Sequence, residues 1–230
     1  GASENAIRQS LSLASAVSLN IETAGEGNFR HFGKGKDYIK DIIRPLEFIS
    51  RFRRNCSGGR RIKQTTQFVV GASRETDEEI IGCSSRLYGS LGLSRIYFSS
   101  YQRGEGDPSL PGESSSYSNE EMLTREHRLY QADWLMRKYG FRAEEIPLGP
   151  DGNLSLDADP KAVWARRHPE FFPVEVNSAS ASRLLRVPGL GLTAVERIMQ
   201  LRREGVRLRS LAPAVKRGKI LKQAEKYVVF

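Results

Sequence analysis

Three strand-like runs alternate with helical segments along the first 140 residues. They are VSLNIE (17–22), TTQFVVG (65–71) and RIYFSS (95–100), and the segments between them repeat apolar residues at helical spacing. Strands separated by helices pair in parallel, since each helix returns the chain to the same end of the sheet. The order therefore predicts an α/β fold with a parallel sheet.

The predicted sheet is incomplete. A closed eightfold barrel needs eight strands and about 250 residues, whereas three strands precede residue 140 here. The chain also begins within a predicted helix and without an initiator Met. We therefore expect residues 1–140 to form the later half of a parallel (β/α) barrel whose earlier units are missing from this chain.

Capping residues mark the predicted helix starts. Thr76 and Ser118 each have a glutamate three residues later, Glu79 and Glu121, which is the spacing of a capping box. Asp37 is the expected cap of another helix. The side chains predicted to be buried are Ile80, Cys83 and Leu87 on the first capping-box helix and Leu123, Tyr130 and Trp134 on the second.

The alternation in the first strand predicts which side chains line a site. In a barrel of this kind the apolar side faces the helices, and the chemistry lies inside at the carboxyl ends of the strands. Asn20 and Glu22 should then point inward near the mouth, with Gln67 or Thr66 on the next strand. Gly71 follows that strand, where the backbone must approach a neighbour closely. A solvent-facing polar strand side and a simple turn glycine remain the alternatives. The apolar residues expected under helices are Val17, Leu19 and Ile21.

The basic residues are concentrated at the carboxyl-terminal end. The net charge is +9, but residues 1–159 carry 21 Lys and Arg against 22 Asp and Glu, a balance of −1. Residues 160–230 carry 15 against 5, a balance of +10. Such segregation favours a polyanion as the partner of this tail, although a solvated basic surface gives the same composition.

A Pro-Gly-Leu-Gly break separates two short predicted helices in LLRVPGLGLTAVERIM (184–199). Asn177 is the expected cap of the first helix. Gly189 and Gly191 allow positive φ and a close backbone approach, and the second helix would start with free N–H groups that favour an anion. A tight corner without a ligand is the alternative. The buried face predicted for the second helix comprises Ala194, Ile198 and Leu201.

Two further segments complete the predicted domain organisation. Residues 141–176 combine proline with aromatic residues, which predicts a packed connector, and a small helical module follows over residues 177–230. Within that module RSLAPAVKRGKILKQAEKYV is a candidate degenerate second hairpin, with Gly218 as its turn. The aromatic residues predicted in the core of the connector are Trp164, Phe171 and Phe172.

The cysteines and histidines indicate no metal centre. Cys56 and Cys83 have the spacing of neither a disulfide framework nor a metal cluster. The three histidines, at positions 31, 127 and 168, are isolated from one another. No apolar run approaches the length of a membrane span, and the first residues lack a signal sequence. These features predict a soluble, cytoplasmic protein without a membrane partner.

Seven segments together resemble radical S-adenosylmethionine (SAM) proteins, and more closely the radical SAM proteins of DNA modification and repair. They are SLNIETA, HFGKGKDYIKDIIRPLEFI, TTQFVVGASRETDEEI, LYGSLGLSRIYFSSYQ, REHRLYQADWLMRKYGF, DPKAVWARRHPEFFPVEVN and LLRVPGLG, and they extend over almost the whole chain. Their combined order is specific, although no single segment is. The resemblance implies that the chain is the C-terminal part of such a protein, with a barrel of the radical SAM type.

The resemblance also implies cofactors. A family member holds a four-iron–four-sulfur (4Fe-4S) cluster that binds the amino and carboxylate groups of SAM, and reductive cleavage gives an adenosyl radical. It implies Asn20 and Glu22 near the ribose or methionine, Gln67 on the neighbouring strand, and the Gly71 backbone near adenine. The family's CxxxCxxC cluster motif is absent here. Because holding the cluster requires three clustered thiolates, we expect this chain alone to bind none. A reductant and a DNA-repair enzyme are the implied partners of the whole protein.

The glycine turn resembles the helix-hairpin-helix module, which holds a DNA phosphate without reading the base. This resemblance assigns backbone amides to Gly189 and Gly191, a hydroxyl to Thr193, and charge to Arg186 and Arg197. Thr193 could instead cap the second helix, together with the glutamate three residues on. The alternative to an enzyme is a non-catalytic DNA-binding adaptor in which the barrel remnant is a scaffold.

Overall fold

A computed structural model describes residues 3–32, 35–56, 61–104, 107–215 and 218–230. The chain divides into two compact units. The first unit comprises residues 1–130 and 148–156, and the second comprises residues 131–147 and 157–230. The boundaries predicted at residues 140 and 176 stay predictions.

The first unit contains a three-stranded parallel sheet with helices. In chain order its elements are α1 (Glu4–Leu13), β1 (Ala16–Ser18), α2 (Glu26–Phe29), a π-helical turn (Tyr38–Ile43), α3 (Arg44–Asn55), β2 (Lys63–Val70), α4 (Asp77–Leu91), β3 (Arg95–Ser100), a 3-10 turn (Pro111–Ser114) and α5 (Asn119–Tyr139), of which residues 131–139 belong to the second unit. The strand order is β1-β2-β3, and both pairings are parallel. The predicted α/β class and parallel pairing are confirmed, whereas the strands in the described ranges do not close into a barrel.

One face of the sheet is buried. Gln64, Thr66, Phe68 and Val70 alternate along β2 as its buried side chains, as expected for a strand covered on one side. The Gln64 amide donates a hydrogen bond to the Leu46 carbonyl of α3 at 2.9 Å, which satisfies its buried N–H group. The helices therefore pack against this face of β2.

The apolar side of the first strand faces the same helices. Val17 packs on a cluster of Leu11, Ile49 and Ile62, and Ile21 is fully buried. Leu19 lines a groove beside α1 and α3. The packing predicted for Val17 is therefore confirmed, whereas the orientation predicted for Leu19 and Ile21 stays a prediction, because the regular pairing of the strand ends at Ser18.

Side chains occupy the outer edge of β3. The Tyr88 hydroxyl accepts from the Ile96 N–H at 3.0 Å. The Tyr130 hydroxyl accepts from the Phe98 N–H and donates to the Phe98 carbonyl, each at 3.0 Å. The Glu126 carboxylate accepts from the Ser100 N–H, the next one along this edge, at 2.7 Å. A strand whose edge groups are satisfied in this way does not recruit another strand, so the sheet ends at β3.

The predicted helix starts are confirmed. Thr76 and Glu79 form a complete capping box, in which the Glu79 N–H donates to the Thr76 hydroxyl at 3.3 Å. Ser118 and Glu121 form the equivalent pair at 3.2 Å. The Asp37 carboxylate accepts the Lys40 N–H, three residues further on in the first turn of the π-helical segment, at 2.6 Å. These local bonds satisfy N–H groups that have no partner within the helix.

Burial on α5 differs from the prediction. Leu123 is 54% exposed and Trp134 is 42% exposed, so their predicted burial is wrong, and Tyr130 is half-buried. The buried face of α5 also holds the charged residues Arg125 and Asp133, and these mask the apolar periodicity in the sequence. The buried apolar residues of α5 are Met122, Leu129, Ala132 and Leu135.

The second unit is mainly helical. After α5 its elements are a 3-10 turn (Ala143–Glu145), α6 (Pro160–Arg167), a 3-10 turn (Pro169–Phe171), β4 (Val174–Glu175), α7 (Ala181–Leu185), α8 (Leu192–Arg203), α9 (Lys219–Glu225) and β5 (Val228–Val229). β4 pairs in parallel with β5. Leu184, Leu190 and Ile198 are among the fully buried side chains of its core, and Trp164 is buried as predicted.

Two predictions about the second unit are wrong. Ser180, and not Asn177, caps α7, and its hydroxyl accepts the Arg183 N–H at 3.3 Å. The Asn177 side chain instead bonds to both backbone groups of Leu208, at 2.8 and 3.0 Å, so a distant loop determines its role. The candidate second hairpin lacks its first helix, because the described residues 204–215 before α9 are turns and irregular chain.

Candidate functional site

Asn20 and Glu22 lie together beyond the end of β1. Their side chains are hydrogen bonded to each other. The Glu22 N–H donates to the Gln67 carbonyl at 3.0 Å, and the Val69 N–H donates to the Glu22 carbonyl at 2.7 Å. The Gln67 side chain is half-buried on the face of β2 opposite to Phe68. The structure therefore brings these three predicted residues to one part of the sheet.

An extra residue interrupts the strand pairing before Glu22. Ser18 lies opposite Thr65, but Glu22 lies opposite Phe68, so three intervening residues face two on β2. The Thr66 hydroxyl bonds to two backbone groups of the extra segment, at 2.9 and 2.7 Å. This arrangement resembles a β-bulge, which redirects the side chains that follow it. The regular strand therefore ends at Ser18 and not at Glu22 as predicted.

Glu22 has a strained backbone and a partly buried carboxyl group. Its φ is +66°, in the left-handed region, which costs a residue other than glycine about 1–2 kcal/mol. Burial raises the pKa of the Glu22 carboxyl, against the opposing effects of the Asn20 hydrogen bond and the Lys36 charge. Strain and a raised pKa at the carboxyl end of a strand are typical of functional carboxylates.

Gly71 is explained by contacts within the first unit. Its φ is +82°, and a Cβ atom there would lie 2.1 Å from the Met122 Cε. Its N–H donates to the buried Glu75 carboxylate at 3.1 Å, and the same carboxylate accepts from the Thr23 hydroxyl at 3.0 Å. The N–H of this glycine is therefore engaged by the protein, and packing alone accounts for the residue.

A buried charged network links α4, α5 and the segment 148–156. The Arg125 Nε donates to the Asp77 carboxylate at 2.7 Å, and its Nη2 donates to the Glu75 carbonyl at 2.9 Å. The second Asp77 oxygen accepts the Leu154 N–H at 2.8 Å. Burial raises the pKa of the Asp77 carboxyl, and the Arg125 charge opposes it. Sequence reasoning missed this network, whose groups bond to one another and hold the unit together.

The turn between α7 and α8 offers backbone amides. Gly191 has an extended backbone (φ −103°, ψ 179°) and occupies the cap position of α8 without a side-chain cap. Val195 is the first helical residue whose N–H bonds back, to the Gly191 carbonyl at 3.0 Å. Within the described part of the chain, the N–H groups of Leu192 and Thr193 have no acceptor, and Thr193 is exposed. Because Gly191 occupies the cap position, the capping alternative for Thr193 is wrong.

Gly189 is required by the packing of the turn. Its φ is +87°, and a Cβ atom would lie 2.8 Å from the Ile220 carbonyl oxygen and 3.2 Å from the Ala224 Cβ. Both neighbours belong to α9, which therefore packs against the turn. The assignment of the Gly189 amide to a phosphate stays a prediction.

Arg186 is held within the second unit. Its guanidinium carbon lies 4.2 Å from the Phe141 ring centroid and 4.8 Å from that of Trp164, and it pairs with Glu145 at 2.8 Å. Burial is the largest single effect on the Glu145 carboxyl and raises its pKa, but the hydrogen bonds from Arg186 and from the Arg142 backbone, with the charges of both arginines, together outweigh burial, so the pKa lies below its ordinary value. The side chain of Arg186 is 16% exposed, so we do not retain it as a DNA contact.

Arg197 and other basic residues form an exposed surface on the second unit. Arg197 lies on α8 beyond the free amides and donates to the Gln200 side chain at 3.1 Å. A cleft of about 490 Å³ contains Arg202, Arg203 and Arg207 in its lining. The other exposed basic residues include Arg166, Arg167, Arg183, Arg209, Lys219, Lys222 and Lys226.

Sequence reasoning also missed a buried lysine behind the turn. Lys161 is 6% exposed, and its Nζ donates to the Leu190 carbonyl at 2.5 Å. The sequence around Lys161 does not indicate its burial. Proline is common at the first position of a helix, as in α6, and the carbonyl that Lys161 bonds lies 29 residues away. A lysine amine is thus buried directly beneath the amide-bearing turn.

The cysteines do not fit the cluster that the resemblance implies. Cys56 is exposed and Cys83 is buried on α4, and two thiolates cannot replace the three that the cluster requires. The described ranges contain no group of three His, Cys, Asp or Glu residues that could hold a metal ion. Across the same ranges, every helix is too short or too polar to cross a membrane.

Comparisons with known proteins gave no match. No protein-family profile, curated protein or solved structure is similar to this chain at a significant level. The sequence segments quoted above therefore remain the ground for the family hypothesis.

Proposed function

We propose that the second unit binds the phosphate backbone of duplex DNA without sequence preference, in a radical SAM protein that modifies or repairs nucleic acid. The observation that carries the proposal is the start of α8, where the Leu192 and Thr193 N–H groups have no acceptor among the described residues. A phosphate oxygen accepts such N–H groups, and the helix dipole favours negative charge at this end. The radical SAM part of the proposal rests on the sequence resemblance.

The surrounding charge supports an extended polyanion as the ligand. Residues 160–230 carry a balance of +10, and Arg197 is exposed on the helix that bears the free amides. Contacts to phosphate and sugar position a protein on DNA without reading its sequence. One turn and the neighbouring arginines would contact a handful of phosphates, so we expect micromolar or weaker binding near physiological salt, in the range of about 10⁻⁴ to 10⁻⁶ M for non-specific complexes.

Leu192→Pro tests the amide contact. Leu192 is the first residue of α8, where proline is tolerated because that N–H takes no part in the helix. Gly191 before it already has the extended backbone that proline requires. The matched control is Leu192→Ala, which removes the side chain and keeps the N–H.

We expect Leu192→Pro to bind a fluorescently labelled duplex about tenfold more weakly than Leu192→Ala at low salt, the effect of one lost hydrogen bond to a charged group. Fluorescence anisotropy measures the affinities, and circular dichroism verifies that both variants keep their helical content. Equal affinities of the two folded variants would contradict the amide contact.

A second candidate function is a non-catalytic DNA-binding adaptor in which the first unit is a scaffold. It is favoured by the Gly71 N–H, which the Glu75 carboxylate already engages, and by the absence of a third cysteine. The gene sequence upstream of residue 1 separates the two candidates. A CxxxCxxC motif there would support the radical SAM enzyme, and its absence would support the adaptor.

A further inference from the structure

Lys161 is a buried lysine whose amine has few partners. Its Nζ donates to the Leu190 carbonyl at 2.5 Å and lies 4.6 Å from the Tyr139 ring centroid. Asp159, at the start of α6, is the acidic group that stabilises its charge, while the Asp159 carboxylate itself accepts the Ala162 N–H at 3.1 Å. In the ranges that the structure describes, no carboxylate lies within ion-pair distance of Nζ. Burying an ammonium group in this way is costly, so an apolar side chain of similar length would be the more stable choice.

The bond from Lys161 sets the direction of one peptide group. The peptide that joins Leu190 to Gly191 is trans, and in a trans peptide the C=O and N–H groups point in opposite directions. With the Leu190 carbonyl directed at Nζ, the Gly191 N–H points away from the buried ammonium. It has no acceptor among the described residues, and it immediately precedes the free amides of α8.

We propose that Lys161 is a positioning residue for the phosphate-binding turn, and that binding of a DNA phosphate there is coupled to protonation of its amine. The inference rests on the proposed DNA binding and adds its regulation by pH. The amine donates to the Leu190 carbonyl and so orients the Gly191 amide, and its ammonium form strengthens that bond and places a positive charge behind the amide. A bound phosphate in turn stabilises the ammonium form, so binding takes up a proton wherever the free protein holds the neutral amine.

Burial places this coupling near neutral pH. It lowers the pKa of Lys161 to about 7, and the Asp159 charge opposes the effect. The groups that face the amine are Tyr139 from α5 and Asp159 from α6. Affinity for DNA should therefore fall as the pH rises from about 6 to about 9, by about tenfold for each unit by which the phosphate raises the pKa.

The test compares the pH dependence of duplex binding by the whole chain and three variants. Lys161→Met removes the amine and keeps an unbranched side chain that is one atom shorter. Lys219→Met removes an exposed lysine of the same unit and is the matched control. His168→Gln removes the histidine of this unit, whose ring bonds to the Trp164 carbonyl at 2.8 Å. Anisotropy of a labelled duplex is measured at constant low salt from about pH 6 to about pH 9.

We expect Lys161→Met to bind about tenfold more weakly than the wild type at the acid end and to change little with pH. Lys219→Met and His168→Gln should keep the wild-type pH dependence, whatever their absolute affinity. Wild-type affinity and pH dependence in Lys161→Met would overturn the coupling and leave the proposed DNA binding intact. Loss of the pH dependence in His168→Gln would also overturn it. A wild-type chain that does not bind duplex DNA would overturn the proposed function, and the coupling with it.

A second measurement needs no DNA. The Gly191 amide resonance in a nitrogen-15 NMR spectrum should titrate near pH 7 in the wild type and stay constant in Lys161→Met. The reason is that the Leu190 carbonyl, to which Lys161 bonds, and the Gly191 N–H belong to the same peptide group. A Gly191 resonance that titrates equally in both proteins would overturn the positioning role of Lys161.

Discussion

At the scale of single residues, Lys161 imposes a cost on the stability of the second unit. Its pKa is about 7 in the folded chain, against an ordinary value of 10.5. Between these two pH values the unfolded chain holds the proton and the folded chain does not, so the free energy of unfolding rises with pH in this window. Below about pH 7 both states are charged, and the full penalty of the buried ammonium is present.

We therefore expect Lys161→Met to raise the free energy of unfolding by about 2–4 kcal/mol at pH 6, and by much less at pH 9. Trp134 and Trp164 are the two tryptophans of the chain, and both belong to the second unit. Tryptophan fluorescence during urea titration therefore reports this unit. A loss of stability at pH 6 would contradict the prediction and would mean that the bond to the Leu190 carbonyl outweighs the cost of burial.

At the scale of elements, the buried Arg125–Asp77 pair joins α5 to α4. Arg125→Met leaves the Asp77 carboxylate buried without its partner, and we expect it to lower the free energy of unfolding by about 3–5 kcal/mol. Arg30→Met is the control, because Arg30 and Glu26 form an exposed pair at 3.6 Å, for which we expect a change below about 1 kcal/mol. Urea titrations followed by far-ultraviolet circular dichroism measure both. Similar costs for the two variants would contradict the structural role of the buried pair.

The same elements indicate how much of the fold the sequence can predict. The start of α4 is predictable because Thr76 and Glu79 bond to the backbone of their own turn. The end of β1 is not, since it depends on the Thr66 hydroxyl of the neighbouring strand. The buried face of α5 is not predictable either, because Arg125 is buried only through its pairing with Asp77, 48 residues away.

In the candidate site, too, features that depend on neighbouring residues can be predicted, and features that depend on distant residues cannot. The proximity of Asn20 and Glu22 follows from their spacing of two residues. The bulge before Glu22 cannot be read from that spacing, because it depends on the pairing with β2. The burial of Arg186 depends on Phe141, Glu145 and Trp164, which come from other parts of the second unit. A basic residue beside a glycine turn has the same local sequence whether it faces DNA or pairs within the protein.

At the scale of the whole molecule, the chain contains two cysteines for a cluster that needs three thiolates. We expect anaerobic reconstitution with iron and sulfide to leave far less than one 4Fe-4S cluster per chain. The control is the double variant Cys56→Ser and Cys83→Ser, which should give the same iron and sulfide content. A stable, stoichiometric cluster that is lost in the double variant would contradict this expectation.

Charge is distributed unequally along the molecule, with a balance of −1 over residues 1–159 and +10 over residues 160–230. An excess of positive charge that contacts phosphates releases condensed counterions, so the logarithm of affinity falls linearly with the logarithm of salt concentration, by about 0.9 per phosphate. A solvated surface without a DNA ligand gives no such dependence. The distinction can be measured on the intact chain.

The decisive measurement is the salt dependence of duplex binding by the wild type, Arg197→Gln and Arg30→Gln. For the wild type we expect a slope of about −3 to −5, as a handful of phosphate contacts requires. Arg197→Gln should lower the magnitude of the slope by about 0.9, while Arg30→Gln, in the first unit, should leave it unchanged. Affinity that is equal at low and high salt, or no binding at low salt, would contradict DNA binding by the second unit.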